Sequence, residues 1–389
     1  MIPGFADIFR RRRPLGTEPR GGLGRIVRMG LNLRRKSAAR AAKAAGVEAL
    51  LVTYLPDVRW LCGFTGSNAT LLLGRGRTVL FTDGRYTTQA KAEAVGIKVV
   101  IVPKAAAVAA CEWMATAGVQ RCGFDEGNTT VAALNQMRAA TPAGRRRKMF
   151  QPVGPLVSQL RWVKDADEIA KMRAAAALGC RLFEGILGTM QPGITETAVA
   201  AELEHAARLA GAEAMSFPTI VASGERSALP HGTASSAKLP KRGFVTLDFG
   251  VVLDGYCSDM TRTIHMGRPR PGQRDAYDAL LEAQEAGVGA VRSGALAGDV
   301  DEAARSVLRK ARLAEWFTHS TGHGVGLEIH EGPRLAAKQN QKLEAGMVVT
   351  IEPGIYMPGK FGIRIEDMVL VTAKGGEILT PCTKAWIEL

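Results

Sequence analysis

Short apolar runs alternate with longer helix-like stretches from about residue 37 to the end of the chain. This pattern predicts a mixed α/β fold. Residues 37–46 are Ala-rich and read as helix, and residues 47–53 as a short apolar strand. Residues 69–73 and 78–82 are strand-like and flank Gly74-Arg75-Gly76, a hairpin signal. A helical run (87–95), a strand (98–102) and an Ala-rich helix to about residue 117 follow, in an α/β domain ending near residue 160. Asp165 with Glu168 forms a capping-box pattern, opening a helix that should stop at Gln191-Pro192-Gly193. A second helix is expected over 196–209, then strands and turns from 217 to 265, two helices, and strands to the end. The expected division is a basic extension over 1–36, an α/β domain over 37–160 and a second domain over 161–389.

Composition changes this picture little. The 389 residues are 46% hydrophobic and 23% charged, which suits two globular domains. The six cysteines (62, 111, 122, 180, 257, 382) form no C-x-x-C pair, so neither a zinc knuckle nor a disulfide framework is indicated, and a reducing cytoplasm is the default reading. The sequence holds no apolar stretch of about 18 residues, so no membrane span is expected.

The net charge of +14 raises nucleic acid as a partner, but its location argues against that. Residues 1–46 hold twelve Lys or Arg against Asp7 and Glu18, leaving a near-neutral body. The arm is expected to be disordered to about residue 32. It reads as a surface-binding tail, a targeting segment without an apolar core, or sequence upstream of a start near Met29. The last is preferred.

Three of the six histidines crowd into HSTGHGVGLEIHE, residues 319–331: His319, His323 and His330. A zinc-protease helix needs H-E-x-x-H, and no Glu follows His319. Gly322, Gly324 and Gly326 also oppose a helix, at about 1 kcal/mol each. The stretch therefore reads as loop and strand edge lining a site, its glycines serving tight turns or close backbone approach.

Carboxylates supply the rest of a site. TLDFGVVLDGYCSDMTRT (246–263) places β-formers on both sides of Leu253-Asp254-Gly255, and Asp-Gly is a strong hairpin signal. Asp248 and Asp259 are nearly symmetric about it and are expected to face each other directly, with Cβ atoms about 4.5–5.5 Å apart. Like charges that close call for protons or cations, and the separation suits two metals about 3.5–4 Å apart. Glu352 closes an apolar strand, and FGIRIEDMVLV alternates so that Arg364 and Glu366 share one face, Ile363 and Ile365 the other. Asp248, Asp259, His323, Glu352 and Glu366 together suit hard or borderline divalent ions: Mn²⁺ foremost, with Co²⁺, Fe²⁺ or Zn²⁺ as alternatives. Singly, each acid would read as a solvated surface group.

ASGERSALPHG (222–232), the aspartate hairpin, the histidine stretch, IEPGIY and GIRIEDMVLVT follow one another with the order and spacing of the pita-bread metallopeptidases. The chain resembles their Xaa-Pro branch, aminopeptidase P and prolidase, from about residue 37 onward. VRWLCGFTGSNATLLL and LFTDGRYTTQA resemble that branch's amino-terminal, creatinase-like domain. The resemblance implies that the five residues above ligate two metals and that a metal-bridging hydroxide attacks the Xaa-Pro bond of a proline-containing peptide. It further implies Glu352 as general base, His231 as oxyanion stabiliser, and His330 at the substrate carbonyl or proline. His319 becomes a pocket histidine, Arg364 a holder of substrate or of Glu366, and the protein a homodimer. His205 and His265 match no family role and read as structural.

Methionine aminopeptidases share the ligands but usually lack this first domain and the RSALPHG block, and creatinases lack the metal set. A non-catalytic peptide- or protein-binding module of the same fold would typically have lost ligands. Aminopeptidase P and the dipeptide-restricted prolidase both stay open.

Overall fold

The computed structural model describes residues 21–389, except 75, 145 and 147. The described chain divides into two compact units between Arg161 and Trp162.

The first unit is built on one mixed sheet. Its strands are β1 (Ala49–Val52), β2 (Thr70–Gly74), β3 (Arg77–Thr82), β4 (Lys98–Ile101), β5 (Cys122–Phe124) and β6 (Phe150–Pro152), ordered β4-β3-β2-β1-β5-β6. The expected hairpin is present, with β2 and β3 antiparallel and Gly74 opposite Arg77. The basic arm departs from expectation. Helix Gly21–Ala44 begins well upstream of residue 32, so only residues 1–20 of the segment expected to be disordered lie outside the described residues. Leu31 and Ala38 are buried, and so is Arg35, which donates from Nη1 to Leu61 O at 3.0 Å. Charge counting missed this because a long basic side chain can bury its stem while its head bonds carbonyls.

In the second unit, helix Ala166–Ile186 starts with the full capping box: Asp165 caps Glu168, and Glu168 caps back. Helix Glu196–Leu209 lies beside it. Their apolar faces (Leu178, Leu182, Phe183, Val199, Leu203) pack with Val245, Leu247, Phe249 and Ile264. The strands are β7 (Ala214–Met215), β8 (Ile220–Ser223), β9 (Gly243–Phe249), β10 (Val251–Leu253), β11 (Tyr256–Cys257) and β12 (Met260–Met266), in two three-stranded sheets, β11-β10-β7 and β12-β9-β8.

Helices Gln273–Ala290 and Ala297–Lys310 form a second pair. Beyond them come β13 (Gly322–Gly324), β14 (Glu331–Leu335), β15 (Val348–Ile351), β16 (Gly354–Met357), β17 (Phe361–Arg364), β18 (Asp367–Val371) and β19 (Gly376–Ile378). They form a five-stranded sheet, β14-β13-β15-β18-β19, and the β16-β17 hairpin. Val291, Ala297 and Val300 pack with Val349, Ile351, Val369 and Val371.

The aspartate hairpin corrects one expectation. Its turn is Asp254-Gly255, with φ of 49° and 79°, the left-handed pair of a type I′ turn. Leu253 therefore opposes Tyr256, and Asp248 opposes Thr261 rather than Asp259. The centre of the turn lies one residue beyond the midpoint of the two aspartates. In this register Asp259 falls opposite position 250, two along from Asp248 and on the same face. The pair is diagonal, a separation of about 7–8 Å between Cα atoms. At Gly250 the ribbon passes from one sheet to the other. A Cβ there would lie 1.7 Å from Ser258 O.

Candidate metal centre and active site

Four carboxylates and one imidazole converge in the second unit. Asp248 comes from β9 and Asp259 from just before β12; Glu366 lies between β17 and β18. All three are buried. Glu352 follows β15, its N–H bonded to Thr321 O at 2.8 Å. His323 is the middle residue of β13. Its Nε2 lies 3.7 Å from Asp259 Oδ2 and 3.5 Å from Glu352 Oε1. Ligand atoms of Asp259, His323 and Glu366 lie within 4.8 Å of one another, a grouping that can hold a metal ion.

The glycines of the histidine stretch serve close approach. A Cβ at Gly324 would stand 2.0 Å from Gly332 O, so β13 and β14 meet here only with glycine. The helix reading is excluded, and His323 projects from a strand.

Electrostatics single out this cluster. Burial, then the charges of Glu366, Asp248 and Glu352, push Asp259 well above the usual carboxylate range. Burial, Glu352 and Asp248 do the same to Glu366, which has a local donor in the Thr261 hydroxyl at 2.7 Å. Burial raises Glu352 to about 8, with Arg364 opposing and Asp248 adding to the rise. Burial lowers His323 to about 4, so the ring is neutral. Its Nδ1 lies 3.0 Å from Gly324 O. That contact assigns the proton to Nδ1 and leaves the Nε2 lone pair facing the carboxylates.

Asp248 Oδ2 accepts from Arg364 Nη2 at 2.5 Å, while Oδ1 is buried without a partner. A buried anionic oxygen with no donor is expensive. An unpaired oxygen, mutually raised acids and a neutral imidazole lone pair together make a donor set fitted to divalent cations.

A second network lies alongside. His319 Nδ1 is 2.8 Å from Ser320 O and its Nε2 2.9 Å from the Tyr356 hydroxyl. Arg364 Nη1 donates to that hydroxyl at 2.6 Å, Nε to the Thr261 hydroxyl, and Nη1 also to Pro230 O. The donors run Arg364 to Tyr356 to His319, with Asp248 on the far arm of the guanidinium. Arg364 thus holds Asp248, not Glu366, because the chain leaves β17 after Arg364 and the Glu366 N–H turns to Thr261 O. Arg364 is buried, so its pairing is not the weak surface ion pair that strand alternation alone suggests. Burial holds His319 at about 4 and pushes Tyr356 up to about 12.

His231 and His330 are exposed at the mouth. The ring of His330 stands 4.4 Å from that of His323. Burial, then neighbouring His231, lowers its pKa, against a pull from Asp248. His265 lies apart, stacked on Trp386 with centroids 5.3 Å apart, a structural placement. Sequence reading missed Tyr356, the bridge between His319 and Arg364. Its only signal was its place four residues after Glu352.

Residues 170–373 match metallopeptidase family M24, and residues 34–163 match the creatinase/prolidase N-terminal domain. The chain belongs to metallopeptidase family M24. It is similar to an uncharacterized peptidase, YqhT, of Bacillus subtilis, with 37% identity over 88% of this chain and 96% of the relative. Among solved structures it resembles an Xaa-Pro dipeptidase from Bacillus anthracis (TM-score 0.89, 39% identity, 92% of this chain and 100% of that one). It also resembles an X-Pro aminopeptidase from Thermotoga maritima (TM-score 0.83, 34% identity, 90% and 100%). The architecture is accordingly that of an M24 peptidase: a creatinase-like first domain and a pita-bread second domain. No helix among the described residues is long and apolar enough to cross a membrane.

Proposed function

We propose that this M24 peptidase hydrolyses the Xaa-Pro bond at the N-terminus of peptides, with Asp248, Asp259, His323, Glu352 and Glu366 holding two divalent cations, Mn²⁺ foremost. The observation that carries the proposal is the buried, mutually repelling carboxylate set with the unpaired Asp248 Oδ1. Four carboxylates balance two dications. When bound, such ions supply an activated water near neutral pH and a Lewis acid for the carbonyl.

The chain's own residues do the rest. Glu352, once cations have displaced the proton it holds in the cation-free cluster, takes a proton on its carboxylate from the attacking water and returns it to the prolyl nitrogen. An amide nitrogen is a poor leaving group until it is protonated, so this proton lets proline leave as its amine, and the bond offers no N–H for peptidases that need that donor. His231 at the mouth donates to the developing oxyanion. His330 meets the substrate carbonyl or the proline ring. Arg364 orients Asp248 through their 2.5 Å bond, and Tyr356 ties that guanidinium to the pocket residue His319. The homodimer implied by the family resemblance and the cytoplasmic setting read from the cysteines belong to the same proposal. Six buried free thiols agree with a reducing compartment, and light scattering measures the oligomer.

The test is hydrolysis of Ala-Pro and Ala-Pro-Ala by chelated protein restored with Mn²⁺. Cleavage of the tripeptide before proline gives an aminopeptidase P specificity, and cleavage of the dipeptide alone gives a prolidase. Failure on both, with Mn²⁺, Co²⁺ or Zn²⁺, defeats the Xaa-Pro reading.

A further inference from the structure

A buried carboxylate outside the cluster has no part in the chemistry above. Glu196 is the first residue of helix Glu196–Leu209, and its side chain is fully buried. It accepts from Ser223 N at 2.8 Å and Ser223 Oγ at 2.9 Å, from Arg226 Nε at 3.0 Å, and from Ser235 N at 3.1 Å and Ser235 Oγ at 2.7 Å. These donors lie at both ends of residues 224–234, the segment that carries His231. Arg226 closes the same segment by donating from Nη2 to Thr233 O at 2.8 Å. Farther along, turn bonds shape the backbone around His231: Leu229 N to Arg226 O, Gly232 N to Leu229 O and Thr233 N to His231 O. Thr233 also bridges Ile220, and Ser227 Oγ accepts from Gly362 N at 2.8 Å. The loop tip meets the site framework at Pro230 O, which accepts from Arg364 Nη1 at 3.1 Å.

We propose that Glu196 is the positioning residue for His231, holding both ends of its loop so that the imidazole is delivered pre-oriented to the mouth of the carboxylate cluster. This rests on the role given to His231 above. A flexible loop would lose conformational entropy on each encounter with substrate, on the order of 1 kcal/mol per residue ordered. Five donors converging on one buried carboxylate meet that loss during folding instead. The same device recurs beneath His319. Asp301, on helix Ala297–Lys310, accepts from Thr321 N at 3.0 Å and Thr321 Oγ1 at 2.8 Å, and Arg305 bridges it to Phe317 O.

The experiment is a double-mutant cycle on the full-length, Mn²⁺-loaded protein with E196Q, H231A and E196Q/H231A. It measures kcat, KM, bound metal and Tm, using whichever of Ala-Pro-Ala or Ala-Pro the wild type cleaves. Displacing a group by about 1 Å can cost on the order of 10²-fold in rate. E196Q should therefore lower kcat/KM by about 10- to 100-fold with metal content unchanged. Because the loss passes through the imidazole, the double variant should be no worse than H231A alone. If the two losses multiply, or if E196Q lowers Tm and leaves kcat/KM intact, Glu196 is a structural residue and the inference is overturned. If H231A itself keeps wild-type kcat/KM, the role of His231 falls and takes this inference with it. A crippled H231A with multiplying losses overturns the positioning role alone. Should E196Q fail to fold, S235A removes one hydroxyl donor. It should give a several-fold loss in the wild-type background and none beside H231A, and a loss in both overturns the proposal equally.

Discussion

Glu366 and Asp367 are consecutive and both buried, yet their surroundings are opposite. Glu366 faces Asp248, Asp259 and Glu352, with the Thr261 hydroxyl as its local donor, and is pushed well above the usual range. Asp367 points to the other side of β18. There it accepts from Arg262 Nη2 at 2.8 Å, Lys384 Nζ at 2.7 Å, Gln284 Nε2 at 2.9 Å and the Thr380 hydroxyl at 2.9 Å. Burial pushes Asp367 up, but Arg262 and Lys384 outweigh it and hold the group below its ordinary value. Burial alone therefore does not mark a functional acid. A satisfied carboxylate holds the fold, and one left among like charges is available to a cation.

The sharpest test exchanges the two. Glu366→Gln should lower kcat/KM by on the order of 10³-fold, the scale of losing a positioned electrostatic group. It should leave stability in metal-free buffer unchanged or higher, since it replaces an acid whose ionised form burial, Glu352 and Asp248 all disfavour. Asp367→Ala should do the reverse. Arg262 and Lys384 would be left as buried charges without their carboxylate, at about 3–5 kcal/mol, read by urea denaturation. If Glu366→Gln destabilises as much as Asp367→Ala, the distinction between the two acids collapses.

Metal binding sharpens the comparison further. In the cation-free cluster Glu352 sits at about 8, far above the ordinary value of about 4.3. A raised acid holds a proton in the folded state that the unfolded chain has released. The metal-free fold should therefore lose stability as pH rises through this window, from about 4.3 to about 8. A cation must displace the protons that the raised acids hold, so Mn²⁺ affinity should rise with pH, by at most about tenfold per unit per proton. Titration calorimetry from pH 6 to 8 measures this, and an affinity independent of pH would break the account. At a Mn²⁺ concentration about 100 times Kd, stabilisation should reach about 2.7 kcal/mol, and Glu366→Gln should forfeit most of it.

Much of this was legible in the sequence, for reasons that also mark where legibility ends. The Asp165–Glu168 capping box and the Asp254-Gly255 turn are local chemistry and could be read directly. The pairing of Asp248 with Asp259 depended on where the turn is centred, and an error of one residue there turns a facing pair into a diagonal one. Parity was preserved, so both still share a face. Glu366 was set apart from Asp367 by the alternation that placed it on the face of Arg364. The chain leaves β17 after Arg364 and both sides of β18 are buried, so alternation carried no signal about what surrounds each acid. Glu196 escaped because its partners are distant in sequence, and Tyr356 because its link to His319, 37 residues away, is set by the fold. Ser223 and Ser235 lie 27 and 39 residues from Glu196.

Tyr356 stands between the two extremes and yields the smallest expected effect. Its hydroxyl is held by Arg364 Nη1 at 2.6 Å and by His319 Nε2 at 2.9 Å. It belongs to the supporting network, yet the guanidinium it contacts also holds Asp248. Tyr356→Phe keeps the ring packing and removes only the oxygen. The half-buried His319 Nε2 then loses its partner, about 1–3 kcal/mol for a group left unsatisfied, and the low end applies because the ring is not fully buried. The neutral ring of His319, held at about 4, needs a donor at Nε2 and loses one. Arg364 keeps Asp248, Thr261 and Pro230. Stability should fall by about 1 kcal/mol and kcat/KM by a few-fold, with metal content unchanged because the Asp248 contact survives. A loss of bound metal in Tyr356→Phe would mean that Tyr356 holds Arg364 in place for Asp248, and that the supporting network and the carboxylate cluster act as one unit.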